Sequence, residues 1–324
     1  MAVWLDVTTS LGWMRPVTGV VRVEVECARD FLGQDPGQIK FCRYAHGLRV
    51  VLCCHDIIPV VRPDLTLGRI TARFREHLKQ MVAVADHIVC VSNHTCQDLK
   101  RFLSSTETER VPRLSQIRHG SDLPQSNRPV AVSPEVDEIL EHPFVLYVST
   151  LEKRKNHGLL LDAYEELIKE GGLALPILVL VGMAGWGADP MVARLERLAS
   201  QGAPIRWLRH VTDSDLNLLY RHCLMTVYPS LYEGWGLPVA ESLAYGKFCL
   251  ASSAASIPEV GGDLVDYLAP DDFRAWSRAL RHYFLKPDLI GLREKAIVSG
   301  YRPPAWSQTA GVILGVATEL ESSP

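Results

Sequence analysis

The segment Tyr228-Pro229-Ser230-Leu231-Tyr232-Glu233-Gly234-Trp235-Gly236-Leu237-Pro238-Val239-Ala240-Glu241 sets two carboxylates and two glycines between a strand-like run and a helix-like run. Glycine lets a backbone approach a ligand closely, and proline is tolerated as the first residue of a helix, where its missing N–H costs nothing. The free amides between Trp235 and Val239, Pro238 excepted, would then join the positive end of a helix dipole in an anion site suited to a diphosphate. The two glutamates differ in setting. Glu233 precedes the helix and is expected to project into a ligand cleft. Glu241 is expected in the first helical turn, where its charge is favoured and where it can accept two hydrogen bonds from a vicinal diol such as a ribose. The competing explanation is structural: Glu241 complements the dipole and Glu233 is an exposed loop residue.

Other segments place chemistry at the ends of strand-like runs. His55-Asp56 follows the apolar run 50–54; the histidine can donate to a ligand hydroxyl or a phosphate, and Asp56 can orient it or accept from a hydroxyl. Ser92 ends another such run. Thr18-Gly19 precedes a helix-like segment and offers a second backbone anion site, with Arg22 nearby. Gly182-Met183-Ala184-Gly185-Trp186-Gly187 is a glycine-rich loop after a strand and is expected to border a nucleotide, although it lacks the G-x-G-x-x-G spacing. Asp213-Ser214-Asp215 imitates a metal-binding Asp-x-Asp pair. Its place at a helix start, with Asp213 as the expected N-cap, makes it structural, and no metal site is expected.

These residues must be held by the elements between them. Apolar runs at 3–7, 39–44, 49–54, 87–91 and 114–117 read as strands, and the segments 19–31, 67–84 and 93–103 as helices. In 67–84 the residues Ile70, Phe74, Leu78 and Met81 recur at helical spacing. Arg69, Arg73, Arg75 and Lys79 flank that stripe and suit either an anionic membrane surface or solvent. Residues 125–143 hold prolines and serines and read as a linker with one short helix near its end. From 144 a second alternation runs through strands at 144–148, 177–181, 205–208, 224–228 and 248–251. Helices at 156–170, 189–200, 213–222, 238–245, 271–285 and 307–320 complete it. Strands alternating with helices build parallel sheets covered on both faces, so the fold class is α/β with two Rossmann-like domains facing a central cleft. The domains are expected at 1–124 and 144–324, the last helix returning to the first.

Composition excludes several classes. The chain has 324 residues, 47% hydrophobic and 22% charged, with a net charge of −3, so it is neither disordered nor a nucleic-acid binder by charge. Up to residue 124 it carries 16 Lys and Arg against 13 Asp and Glu; beyond it, 18 against 24. Eight cysteines show no C-x-x-C spacing, which argues against structural zinc and a disulfide scaffold. No apolar run reaches the roughly 18 residues a membrane span needs. A cytoplasmic location is expected, with peripheral contact at the inner membrane face as a further option.

The Glu-x(7)-Glu pair within 229–242 resembles the signature of the group 1 retaining glycosyltransferases, which have the two-domain GT-B fold. Val148 to Asn156 (VSTLEKRKN) is similar to that family's G-T-L-E-P-R-K-N turn. LVLVG at 178–182, VTDSDL at 211–216 and IPEVGG at 257–262 follow in the family's order. Before residue 124, LDVT, RPVTGVVRVE, HDIIP and ADHIVCVSNHT resemble a bacterial polysaccharide-assembly subgroup. The resemblance implies a hexosyltransferase moving mannose or a similar sugar from a GDP- or UDP-linked donor to a glycan or lipid-linked acceptor, without a metal or other cofactor. It implies that Lys155 and Arg154 neutralise the leaving diphosphate, that Glu233 holds donor-sugar hydroxyls and Glu241 the ribose, and that Trp235, Gly236 and Leu237 line the diphosphate. His210 and Val211 would meet the base. Relatives carry a further strand and helix where this chain has only 41–47, so a shortened N-terminal domain is expected. An acceptor-impaired or non-catalytic nucleotide-sugar-binding partner of an assembly complex is the alternative.

Overall fold

The computed structural model describes residues 3–6, 39–42, 49–106, 111–121 and 132–322. Thr18, Gly19, Arg22, the helix expected over 19–31 and most of the 41–47 junction lie outside the described residues. The chain divides into two compact units, one from 1–63, 68–122 and 303–324, the other from 64–67 and 123–302.

In the first unit β1 (Val3–Asp6) pairs parallel with β2 (Ile39–Cys42). Then come β3 (Val51–Cys54), α1 (Ile58–Val61), α2 (Gly68–Val84), β4 (His87–Cys90), α3 (Asn93–Ser104) and β5 (Arg113–Gln116). The strands β3, β4 and β5 form a parallel sheet with Val51 opposite His87 and His87 opposite Arg113. Leu78 and Val82 of α2 and Leu99, Phe102 and Leu103 of α3 bury with Ile88 and Cys90, and Phe74 packs against them. Leu78 and Phe74 therefore follow the expected helical stripe. Ser92 proves to be the cap of α3, its Oγ accepting the Thr95 N–H at 3.0 Å.

The second unit runs α4 (Pro134–Leu140), β6 (Phe144–Val148), α5 (His157–Glu170), β7 (Ile177–Val181), α6 (Asp189–Ser200), β8 (Ile205–Leu208), α7 (Asp213–His222) and β9 (Met225–Tyr228). It continues through α8 (Leu237–Ala244), β10 (Cys249–Ser252), α9 (Ile257–Gly261), β11 (Asp266–Leu268), α10 (Phe273–Leu285) and α11 (Pro287–Gly300). All six strands are parallel, in the order β11-β10-β9-β6-β7-β8. Their buried, nearly unbroken apolar runs are what a sheet covered on both faces requires. The chain enters at β6, moves outward to β8, then crosses back to β9 on the other side of β6. Loops leaving β6 and β9 therefore diverge, which opens a crevice at their carboxyl ends.

The last helix, α12 (Trp306–Ser322), belongs to the first unit. Thr309 Oγ1 donates to Arg118 O at 2.8 Å and accepts the Gly120 N–H at 3.0 Å. Gly120 lies so close beneath Trp306 that a Cβ would stand 2.6 Å from its ring. Among the described residues no helix is long and apolar enough to cross a membrane.

Candidate active site

The loop after β6 makes one short 3₁₀ turn, Lys153–Lys155, and enters α5 through Asn156, whose φ of 57° is left-handed. Asparagine tolerates that conformation better than most residues. Its side chain uses the position: Asn156 Nδ2 donates to Pro229 O at 3.1 Å and to Pro270 O at 2.7 Å, tying together the loops that follow β6, β9 and β11. Arg154 O accepts from the Leu231 N–H at 2.8 Å, with Ser230 Oγ 3.1 Å away, and Tyr147 OH donates to Lys155 O at 2.5 Å. The basic loop is thus fixed by its backbone, leaving its side chains for chemistry.

Those side chains converge on Glu233. Its Oε1 accepts from Lys155 Nζ at 2.7 Å, from Tyr228 OH at 3.0 Å and from Ser230 Oγ at 2.5 Å, and its Oε2 from Arg154 Nη1 at 2.5 Å. Tyr228 OH also accepts from Lys155 Nζ at 3.0 Å. Ser256, fully buried, has its Oγ 2.8 Å from Glu233 O and 2.9 Å from Trp235 O, which holds the loop backbone. The expected cleft-projecting Glu233 is instead enclosed, 7% exposed. The two cations sited next to it draw it inward, where an unpaired carboxylate could not stay. Burial pushes its pKa up, but Arg154 and Lys155 outweigh that and hold it at about 2, so the carboxylate is ionised. Burial, aided by Arg154, lowers Lys155, while Glu233 opposes the shift.

Glu241 stands elsewhere than expected. The helix α8 starts at Leu237, so Pro238 is its second residue and Glu241 its fifth, beyond the first turn. The dipole does not account for it; a neighbour does. Glu241 is 6% exposed and its Oε2 accepts from Tyr220 OH at 2.8 Å, while Tyr220 stacks on Tyr245 with centroids 5.1 Å apart. Gly236, at φ 120°, forms the N-cap in a conformation that other residues rarely adopt. Its carbonyl accepts the Val239 N–H at 3.0 Å, so Val239 is spent within the helix and the opening amides are those of Gly236 and Leu237. Trp235 is buried, 6% exposed.

Gly182 has φ 144°, and a Cβ there would lie 2.1 Å from Ser149 O, so it lets the ends of β6 and β7 close on each other. Its carbonyl accepts from Trp207 Nε1 at 2.7 Å. His210 is exposed and Val211 half-buried on the loop from β8 to α7. The cap of α7 is Thr212 rather than Asp213: its Oγ1 accepts the Asp215 N–H at 3.0 Å. Asp215 is buried and accepts from Thr212 Oγ1 and the Ser133 N–H, a structural use of the Asp-x-Asp spacing. Among the described residues no group of three His, Cys, Asp or Glu side chains is placed to hold a metal.

In the first unit His55 follows β3 and stacks on His119 at 5.5 Å, which lies 5.9 Å from the Trp306 ring. Burial lowers His55 to about 4; burial and then the His55 charge lower His119 to about 3. Both are neutral at pH 7, so His55 can donate a ring N–H but brings no charge. Asp56 Oδ1 accepts the Ile58 N–H at 3.0 Å and so starts α1.

Of the residues singled out from sequence, the second unit gathers Glu233, Lys155 and Arg154 into one cluster and places Glu241, Gly236 and Leu237 on the adjoining helix. Asn156, Tyr147, Tyr228, Ser230 and Ser256 support them without having been assigned a role. Asn156, Tyr228 and Ser230 lie inside the motifs, where their side-chain chemistry is a signal. Ser256 and Tyr147 carry none.

The sequence profile described as glycosyl transferases group 1 matches residues 133–301. The chain belongs to that family. Among curated group 1 relatives, O-antigen chain mannosyltransferase B of Escherichia coli is 31% identical over 229 residues, 71% of this chain and 59% of that protein. A serotype-specific mannosyltransferase WbdA of Escherichia coli is 29% identical over 209 residues, 62% of this chain and 25% of that protein. The chain thus spans less than two thirds of the length of these relatives. Among solved structures, sucrose-phosphate synthase from Thermosynechococcus elongatus aligns with TM-score 0.62 at 19% identity, covering 93% of this chain and 73% of that one. The Anabaena protein HepE, solved with UDP and glucose, aligns with TM-score 0.61 at 16% identity, over 85% of this chain and 72% of that one. At such identities the likeness shows the fold, which is GT-B.

Proposed function

We propose that this group 1 chain is a retaining hexosyltransferase that moves mannose or a similar hexose from a nucleotide-diphosphate sugar to a hydroxyl of a glycan or lipid-linked acceptor. The observation that carries the reading is the convergence of Lys155, Arg154 and Glu233 at the crevice between β6 and β9, with Glu241 on the helix that follows. In this reading Lys155, Arg154 and the Gly236 and Leu237 amides stabilise the departing diphosphate. Two fixed cations supply the charge that a divalent ion would otherwise bring. Glu241 takes the ribose and Glu233 the hexose hydroxyls, while His210, Val211 and Gly182 border the base. The route is a front-face displacement through an oxocarbenium-like state, because Glu241 is committed to the nucleotide and leaves no glycosidase-type carboxylate pair. His55 and Asp56 serve the acceptor side. Arg69, Arg73 and Arg75, exposed on α2 with Lys79, suit an anionic membrane surface holding a lipid-linked acceptor.

The mannosyltransferase relatives support mannose as the sugar, carried on a GDP- or UDP-linked donor. Donor hydrolysis and transfer are measured with GDP-mannose and UDP-glucose, with and without EDTA, and the anomeric configuration of the product is read by NMR. Binding of a donor with neither hydrolysis nor transfer sinks the enzyme reading in favour of a binding partner. Loss of activity in EDTA removes the metal-free mechanism, and an inverted product removes the front-face route.

A further inference from the structure

The cluster at the crevice is electrically balanced by the protein's own side chains. Two cations face two carboxylates: Glu233 lies 2.7 Å from Lys155 and 2.5 Å from Arg154, and Glu152 lies 3.8 Å from Arg154. The cations assigned to the diphosphate are therefore already occupied. Lys155 and Glu233 are largely enclosed, with side chains 12% and 9% exposed. Charges this close in a water-poor site interact strongly, so a diphosphate cannot join the closed pair without meeting the carboxylate's repulsion.

Resting on the proposed function, we propose that Glu233 is a displaceable internal counter-ion. It occupies the diphosphate subsite through its pairs with Lys155 and Arg154, yields it to the intact donor, and reclaims it from the nucleoside diphosphate product. The asymmetry between donor and product follows from hydrogen-bond satisfaction. A buried carboxylate that leaves its cations must find other donors, or its desolvation goes uncompensated. The hydroxyls of a donor hexose supply them. After transfer the hexose is gone, and the nucleoside diphosphate offers no replacement there, so Glu233 returns to Lys155 and Arg154 and competes with the product.

The surroundings suit that exchange. Tyr228 OH bonds both Glu233 Oε1 and Lys155 Nζ, so it keeps a partner when the two separate. Ser256 holds the Glu233 and Trp235 carbonyls, which confines the movement to the glutamate side chain. Arg154 Nη1 also donates to Tyr232 O at 3.0 Å, which keeps the guanidinium in place.

Isothermal titration of the 324-residue chain with GDP and with UDP tests the idea. The runs are made at pH 7 or below, because Glu233 opposes the lowering of the Lys155 pKa by burial and Arg154, and its removal takes that opposition away. A site closed for most of the time has its dissociation constant raised by the inverse of the open fraction. Glu233→Gln should therefore bind the nucleoside diphosphate about tenfold more tightly than wild type, while transfer falls. Tyr228→Phe keeps every charge and loosens the pair; it should shift binding in the same direction by a smaller factor. It carries the test if Glu233→Gln does not fold. Unchanged or weaker nucleoside diphosphate binding in the folded variants overturns the counter-ion role and leaves the proposed function standing. No GDP or UDP binding by wild type or by either folded variant overturns the proposed function itself.

Discussion

At the residue scale, Lys155 serves two ends, and its removal separates them. It pairs with Glu233 and is assigned to the departing diphosphate. Lys155→Ala should slow transfer by about 10²–10³-fold, the usual loss when one charge-stabilising donor is removed. Initial rates of nucleoside diphosphate release check this, and a rate within threefold of wild type refutes the assignment. A second residue-scale prediction concerns protons. His55 and His119, at about 4 and 3, and His157, which burial and then Lys155 lower to about 3, are unprotonated in the folded protein at pH 5. The unfolded chain protonates its histidines near 6.5, so it binds more protons between about pH 6.5 and 4. Stability should therefore fall as pH drops through that window, by about 1.4 kcal/mol per unit for each histidine. His119→Phe keeps an aromatic ring against His55 and Trp306 and should flatten the profile of Tm against pH. A profile parallel to wild type would contradict the burial account.

At the scale of elements, the turn between β6 and α5 decides whether the basic pair is aimed. Asn156 supplies a left-handed backbone and two side-chain bonds to other loops. Asn156→Gly keeps the first and loses the second; Asn156→Ala loses both. The expected order of transfer activity is wild type, Gly, then Ala, with about 1 kcal/mol of stability separating the two variants. Chemical denaturation and rates on the same preparations read it, and an alanine variant as stable as the glycine one rules out the backbone argument. The elements around this turn are mostly legible from sequence. β6, β7, β8, α6 and α7 begin and end where the apolar period and its Pro, Gly and Asp boundaries place them. By contrast, α11 has only Ile290 and Ile297 buried, seven residues apart with Gly291 between, and so shows no stripe. β11 has three residues, too few to reveal a period of two.

At the scale of the whole molecule, the chain's end returns to the first unit and closes it. Trp306 is 6% exposed against His119 and Gly120, and its loss would open a large cavity. Trp306→Ala should cost about 3–5 kcal/mol of stability, and Gly120→Ala should also destabilise because its Cβ has no room. Thermal unfolding with amide exchange on α12 and β5 checks both; a change below 1 kcal/mol would show that α12 does not support this unit. The sequence by itself determined the alternation of strands and helices, the family to which the chain belongs, and the residue types at the site, because period, turn chemistry and motif spacing are local properties. Only the tertiary structure decided that Glu233 is enclosed rather than exposed and that it faces Lys155 and Arg154, 78 and 79 residues away in the chain. That meeting depends on β9 lying beside β6, and strand order is set by packing over long chain separations that no local pattern records.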